Sequence, residues 1–191
     1  MTPYPVLRDY MDMNRSPQDE IIRLTPGVDP LLRSAFLTGM DPDYFSLYSA
    51  EAAADHLRMT SRLGSDRLVD WRLIPSPDGT ASLSITAFDY LGEFSLLCGI
   101  ISAFGLDILS GHIYTFKGPA EPRRELNAKK RILDLFRIGP VKGSTLSGTL
   151  PDLFGELLKT TLSLLDQGKL PEARTQVQLR VVEYLEKIHS S

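Results

Sequence analysis

Residues 88–115 read FDYLGEFSLLCGIISAFGLDILSGHIYT, and the prediction of the fold depends on this stretch. An extended segment ends at Asp89, and a turn containing Gly92 leads into an apolar helix over residues 93–104. Gly105 ends that helix, and a second extended segment follows it. The stretch therefore predicts a strand, a helix and a strand in close succession, and it carries no recognisable nucleophile, metal cluster or phosphate loop.

A β-hairpin is predicted just before this unit. Residues 69–75 and 81–88 read as extended segments, and the sequence Pro-Ser-Pro-Asp-Gly at residues 75–79 is a strong turn signal. Polar and apolar residues alternate over residues 82–87, as expected for a strand with one buried face. We therefore expect residues 69–75 to lie antiparallel beside the first core strand, at the edge of the sheet.

A third core strand is predicted at residues 131–138, RILDLFRI, after a polar connection over residues 117–130. Its apolar residues fall on both faces, which indicates that both sides of the sheet are covered. Leucines at helical spacing predict a helix from residue 149 to Gly168, and a last helix is predicted over residues 171–188.

The order strand, helix, strand, strand, helix is that of the ferredoxin-like split βαβ unit without its last strand. We predict an α+β fold, with an antiparallel sheet, helices on one face, and helical extensions at both ends. The predicted division is a helical region at residues 1–66, the sheet domain at 67–168 and a C-terminal helix at 169–191. The N-terminal helices are short and weakly amphipathic, so they are expected to need a partner surface.

Composition excludes several classes of function. The chain has 191 residues, of which 42% are hydrophobic and 24% charged, and its net charge is −3. This balance argues against a general nucleic-acid binder. The longest apolar run, residues 94–106, is too short to span a bilayer, and the N-terminus shows no secretory signal. With its single cysteine, Cys98, in an apolar setting, the chain is predicted to be cytoplasmic.

The segment ITAFDYLGEFSLLCGIISAFGLDILSGHIYTF, followed by RILDLFRI, resembles the ACT domain, a small regulatory module that binds amino acids. The likeness rests on three motifs together: the turn at residues 89–94, the Gly-Leu-Asp-Ile entry into the second strand at residues 105–108, and Leu-Asp-Leu-Phe-Arg-Ile at residues 133–138. It is greatest to the ACT modules of PII-protein uridylyltransferases and of large NAD-dependent glutamate dehydrogenases. Leu91 and Asp107 depart from the usual proline and asparagine.

This resemblance implies a ligand site at the turn, between two ACT modules of a homodimer or a tandem pair. Backbone N–H groups at the start of a helix lack intrahelical partners and attract anions, so they could hold the carboxylate of an amino acid. Asp89 or Asp107 could meet its ammonium group, and Gly92 permits close approach. The implied ligand-binding residues are Asp89, Tyr90, Leu91, Gly92, Glu93, Phe94, Leu106, Asp107 and Ile108.

Catalytic chemistry is not indicated. His56, His112 and His189 are far apart in the sequence, and a locally hydrogen-bonded histidine is the simpler interpretation of each. Motifs for a P-loop, a dinucleotide-binding turn or a nucleophile elbow do not occur. We therefore predict no catalytic residue, no metal site and no cofactor.

The function predicted is that of a non-catalytic regulatory module, which binds a small amino acid and signals to an enzyme of nitrogen or amino-acid metabolism. Three alternatives stay open. The chain could be an assembly module that has kept the fold and lost the ligand, or an N-terminal regulatory fragment of a uridylyltransferase or glutamate dehydrogenase. It could also be a small enzyme on a ferredoxin-like scaffold, although no acid–base or nucleophile cluster supports this.

Overall fold

Capping residues and glycines set the bounds of several elements. The Ser16 hydroxyl accepts a hydrogen bond from the Asp19 N–H at 3.1 Å and begins the first helix. Asp29 caps the second helix in the same way. Gly92, with φ of 78°, is the N-cap of the central helix, and Gly105, with φ of 68°, follows its end.

The computed structural model describes residues 16–119, 129–141 and 150–189, so most of the predicted polar connection at 117–130 lies outside the described residues. The helices and strands, in chain order, are α1 (Pro17–Leu24), α2 (Pro30–Gly39), α3 (Tyr44–Leu47), α4 (Ala50–Ser61), β1 (Val69–Pro75), β2 (Ala81–Phe88), α5 (Glu93–Ala103), β3 (Leu106–Lys117), β4 (Lys130–Pro140), α6 (Leu150–Asp166) and α7 (Leu170–His189).

The four strands form one sheet in the order β1-β2-β4-β3, and all neighbouring strands are antiparallel. Because β4 lies between β2 and β3, the segment β2-α5-β3 is the split βαβ unit that the sequence predicted. β1 pairs with β2 at the edge, with Val69 opposite Ala87 and Pro75 opposite Ala81. The predicted position of residues 69–75 is confirmed.

Amide exchange should distinguish the two sides of β1. The Ser76 N–H donates to the Thr80 carbonyl at 2.8 Å, and hydrogen-bonded pairs recur every second residue in an antiparallel ladder. The N–H groups of Arg72 and Ile74, which lie opposite Ser84 and Ser82, therefore point toward β2.

We expect the amides of Arg72 and Ile74 to exchange at least about tenfold more slowly than those of Trp71 and Leu73, which point away from β2. Hydrogen exchange followed by NMR measures this directly. Equal rates at all four positions would show that β1 is not stably paired.

One face of the sheet packs against α5 and α6, and α7 packs against these two helices and adds to the same core. Strand residues on this face alternate with residues of the opposite face, so Leu83, Ile85, Phe136 and Ile138 all belong to one core. The central helix contributes both of its sides, since Leu96, Leu97, Ile100 and Ile101 are all buried. Phe94, in the first turn of this helix, is 48% exposed.

The opposite face is covered by the N-terminal helices. Leu133 and Leu135 of β4 and Tyr114 and Phe116 of β3 share a second core with α1, α2 and α4. Coverage of both faces is thereby confirmed, and the sheet is the partner surface that the short N-terminal helices require. The expectation of helices on one face was too narrow, because these helices form a second layer.

Within the described ranges, no helix combines the length and the apolar character that a membrane span needs.

Candidate functional site

The turn between β2 and α5, residues 89–94, is called the bend here. It lies at one end of the sheet, where the Asp89 N–H donates to the Lys130 carbonyl at 3.0 Å. Leu91 is 85% exposed, and Gly92 adopts the left-handed conformation that starts the helix. The predicted residues of the bend are thus brought together at an accessible helix N-terminus.

Backbone donors remain available at the start of α5, in and just after the bend. The Glu93 N–H donates to the Tyr90 carbonyl, and the Leu96 N–H donates to Gly92. Among the described residues, the N–H groups of Phe94 and Ser95 have no hydrogen-bond partner. Such donors at the positive end of a helix dipole favour an anion.

Tyr90 serves the fold rather than the open side of the bend. Its hydroxyl donates to Asp166 at 2.8 Å, and the Lys129 ammonium lies 5.5 Å from its ring centre. Lys129 also pairs with Asp166 at 3.1 Å. These contacts fix the bend to the end of α6.

The other predicted site residues, Leu106, Asp107 and Ile108, lie at the far end of the sheet. Leu106 is opposite Pro140, the last residue of β4, whereas the bend adjoins Lys130, the first. The ten residues between them correspond to roughly 30 Å of strand. Leu106 is also buried in the core. One chain therefore does not bring Asp107 to its own bend.

A buried pair of carboxyl groups lies beneath the bend, and we call Glu93 and Asp134 the acid pair. Glu93 is 4% exposed and Asp134 is 1% exposed. Asp134 lies on the α5 side of β4, in line with Ile85 and Ile113. One Glu93 oxygen, Oε1, and both Asp134 oxygens have no hydrogen-bond partner among the described residues.

Burial controls the protonation of this pair. Burial is the largest cause, and together with the negative charges of Asp134 and Asp89 it raises the pKa of Glu93 to about 8, against a hydrogen bond from the Tyr90 backbone. Burial, and then Asp89, raise the pKa of Asp134 to about 7. Near neutral pH the acid pair therefore holds a proton.

Sequence reasoning named Glu93 but missed Asp134 as part of the site. The available signal was the position of Asp134 between Ile132 and Phe136 on an otherwise apolar strand face. Two other residues were also missed because they come from α7. A Leu170 methyl carbon, Cδ1, lies 3.3 Å from the point where a side chain at Gly92 would begin, and the Arg174 guanidinium lies 3.9 Å from it.

A second polar cluster lies on the opposite face of the sheet. Tyr44 shares a hydrogen bond of 2.8 Å with His56, and Tyr48 shares one of 2.9 Å with His112. Burial, opposed by the charge of Asp55 and aided by that of Arg72, lowers the pKa of His56 to about 4. His56 is therefore neutral at physiological pH, and the cluster joins the N-terminal helices to β3.

Within the described ranges, no three or more histidine, cysteine, aspartate or glutamate side chains stand where they could hold a metal ion. Comparison of the chain with models of known protein families and with curated proteins found no match.

Proposed function

We propose that the chain is a non-catalytic, ACT-type regulatory module that binds a small amino acid at the bend and signals to an enzyme of nitrogen or amino-acid metabolism. The observation that carries the proposal is the exposed start of α5, where the N–H groups of Phe94 and Ser95 have no partner among the described residues. An amino acid's carboxylate would accept from these donors.

The ligand's second contact would come from another copy of the chain. β3 is the last strand of the sheet, and its exposed apolar residues, Ile108, Leu109 and Ile113, lie along the edge. An unpaired apolar edge favours strand-to-strand association. Antiparallel pairing of two β3 edges, centred near Gly111, would carry the partner copy's strand start to the bend of the first copy.

In this dimer, Asp107 of one copy would lie near the bend of the other copy, although the two are far apart within one chain. Asp107 of each copy would face the ammonium group of the amino acid held at the opposite bend. The Arg174 guanidinium, close to Gly92, would add a positive charge on the carboxylate side. Each ligand would then stabilise the dimer, which is how binding would be signalled.

Screening of the twenty amino acids by thermal shift tests the proposal. A specific ligand should raise the melting temperature by mass action. Replacement of Gly92 by valine should weaken the affinity for that ligand at least about tenfold, because the side chain would press against Leu170 and Arg174 beside the bend and strain the left-handed backbone. Isothermal titration of both proteins measures the difference.

Gly79→Val is the matched control. Gly79 has a similar φ of 80° in the β1–β2 turn and no atom within 4 Å of a side chain placed there. Gly79→Val should strain the backbone comparably, without a contact like that of Gly92 with Leu170, and leave the affinity unchanged. If Gly92→Val binds as tightly as the parent, the site lies elsewhere.

The packing of α7 supports a second candidate, an assembly module without ligand. Leu170 already lies 3.3 Å from the side-chain position of Gly92, so part of the bend is filled by the protein itself. In that case, the chain would dimerise through β3 while no amino acid, even at millimolar concentration, would change its melting temperature. Whether the chain acts inside a longer uridylyltransferase or dehydrogenase is compatible with either candidate.

A further inference from the structure

The charges around the bend do not match an ordinary zwitterion, and the following inference rests on the proposed function. Three acids, Asp89, Glu93 and Asp134, influence one another there. On the side of α7, Arg174 reaches the bend, whereas Lys129 is already paired with Asp166. A bound neutral amino acid would add one carboxylate and one ammonium, and the acid pair would keep its proton and its oxygens without hydrogen-bond partners among the described residues.

The acid pair is the unexplained part of this site. Buried carboxyl oxygens normally have hydrogen-bond partners, yet Oε1 of Glu93 and both carboxyl oxygens of Asp134 have none among the described residues. The neighbouring strand positions, Ile85 and Ile113, are apolar. On the helix side lies Cys98, whose pKa is raised by burial and by the negative charge of Asp134. Its thiol supplies no positive charge.

A cationic group would satisfy these oxygens. Asp89, together with Asp107 of the other copy, can pair with the α-ammonium group of a ligand. The acid pair then remains available to a second positive charge. Because Glu93 begins α5 and both carboxyl groups of the acid pair are buried, that charge would have to sit at the end of a flexible side chain. Such a cation replaces the proton that the pair otherwise holds.

We propose that the bend selects amino acids with a cationic side chain, such as lysine, ornithine or arginine, and that Glu93 and Asp134 receive the side-chain charge. Binding then releases the proton of the acid pair to solvent. Affinity should consequently rise with pH between about 6 and 8, where the acid pair would otherwise be protonated.

Lysine and norleucine provide the test, because the two differ chiefly by the terminal ammonium. At pH 8, isothermal titration should give lysine an affinity at least about tenfold higher than that of norleucine, and the ratio should shrink at pH 6. In the Asp134→Asn variant the ratio should fall to about one. The control, Asp152→Asn at an exposed position of α6, should keep the preference of the parent.

The outcomes separate this inference from the proposed function. If norleucine binds as tightly as lysine, the proposed function stands and the selectivity for cations is wrong. A lysine preference that survives Asp134→Asn would place the charge recognition elsewhere and also overturn the inference. If no amino acid binds at all, both are overturned.

Discussion

Replacing Tyr44 by alanine should lower the free energy of unfolding by about 4 kcal/mol. Tyr44 is fully buried, and its ring lies 5.1 Å from the ring of Tyr114 on β3 and 5.7 Å from that of Phe36 on α2. Truncation would leave a cavity between the N-terminal helices and the sheet, and His56 would lose its hydrogen bond. Chemical denaturation monitored by circular dichroism measures the loss.

Two further variants separate packing from hydrogen bonding. Tyr44→Phe keeps the ring and removes the hydroxyl, so it should cost about 1–2 kcal/mol. Leu47→Ala, at a side chain that is 56% exposed in α3, should change stability by less than about 0.5 kcal/mol. If Tyr44→Ala were as mild as Leu47→Ala, the N-terminal helices would not be packed on the sheet as described.

The second large effect concerns pH and the acid pair. In the folded state both of its carboxyl groups have a pKa above the ordinary value. The pKa is about 8 for Glu93 and about 7 for Asp134. The folded protein therefore binds more protons than the unfolded chain between about pH 4 and 8, and this contribution to stability is lost as the pH rises through that window.

Asp134→Asn removes one of the two acids and should stabilise the protein at pH 8 by about 2 kcal/mol, with little gain at pH 5. Denaturation of the parent and the variant at both pH values gives the difference. The lowered pKa of His56 makes the fold less stable as the pH falls from about 6.5 toward 4. Because both proteins contain His56, this contribution cancels in the difference between their stabilities.

The exposed control Asp152→Asn should show the same small difference at both pH values. A variant at Asp134 that loses stability at pH 8 would show that the carboxylate is paired and useful to the fold. That result would also remove the basis for a cation at the acid pair.

Local signals in the sequence were sufficient for the elements of the split unit. The turn before β2, the glycines around α5 and the alternation in residues 82–87 each constrain the backbone locally, and together they predicted β1 at the edge. The apolar residues on both faces of β4 also predicted that both sides of the sheet are covered, although helices were expected on one face only. The position of the second helical layer on the sheet was not predicted, because short, weakly amphipathic helices acquire their place through long-range contacts such as that of Tyr44 with Tyr114.

The candidate site was harder to predict for the same reason. The bend itself is a local feature, and its residues were named from the sequence. Asp134 was missed because its burial depends on the packing of α5 against the sheet. Arg174 was missed because α7 comes close to the bend only in the folded chain. Asp107 was placed beside the bend, yet the direction of β3 carries it to the opposite end of the sheet.

The edge strand next to β2 is β1, which directly precedes β2 in the sequence, and this order affects how the chain folds. A ferredoxin-like last strand would follow α6 and would have to return to β2 across roughly 90 residues, whereas β1 reaches β2 through a turn of five residues, 76–80. Closing the shorter loop costs about 2–3 kcal/mol less conformational entropy. The sheet's outer edge can therefore assemble from neighbouring residues early in folding, before the distant C-terminal helices have docked.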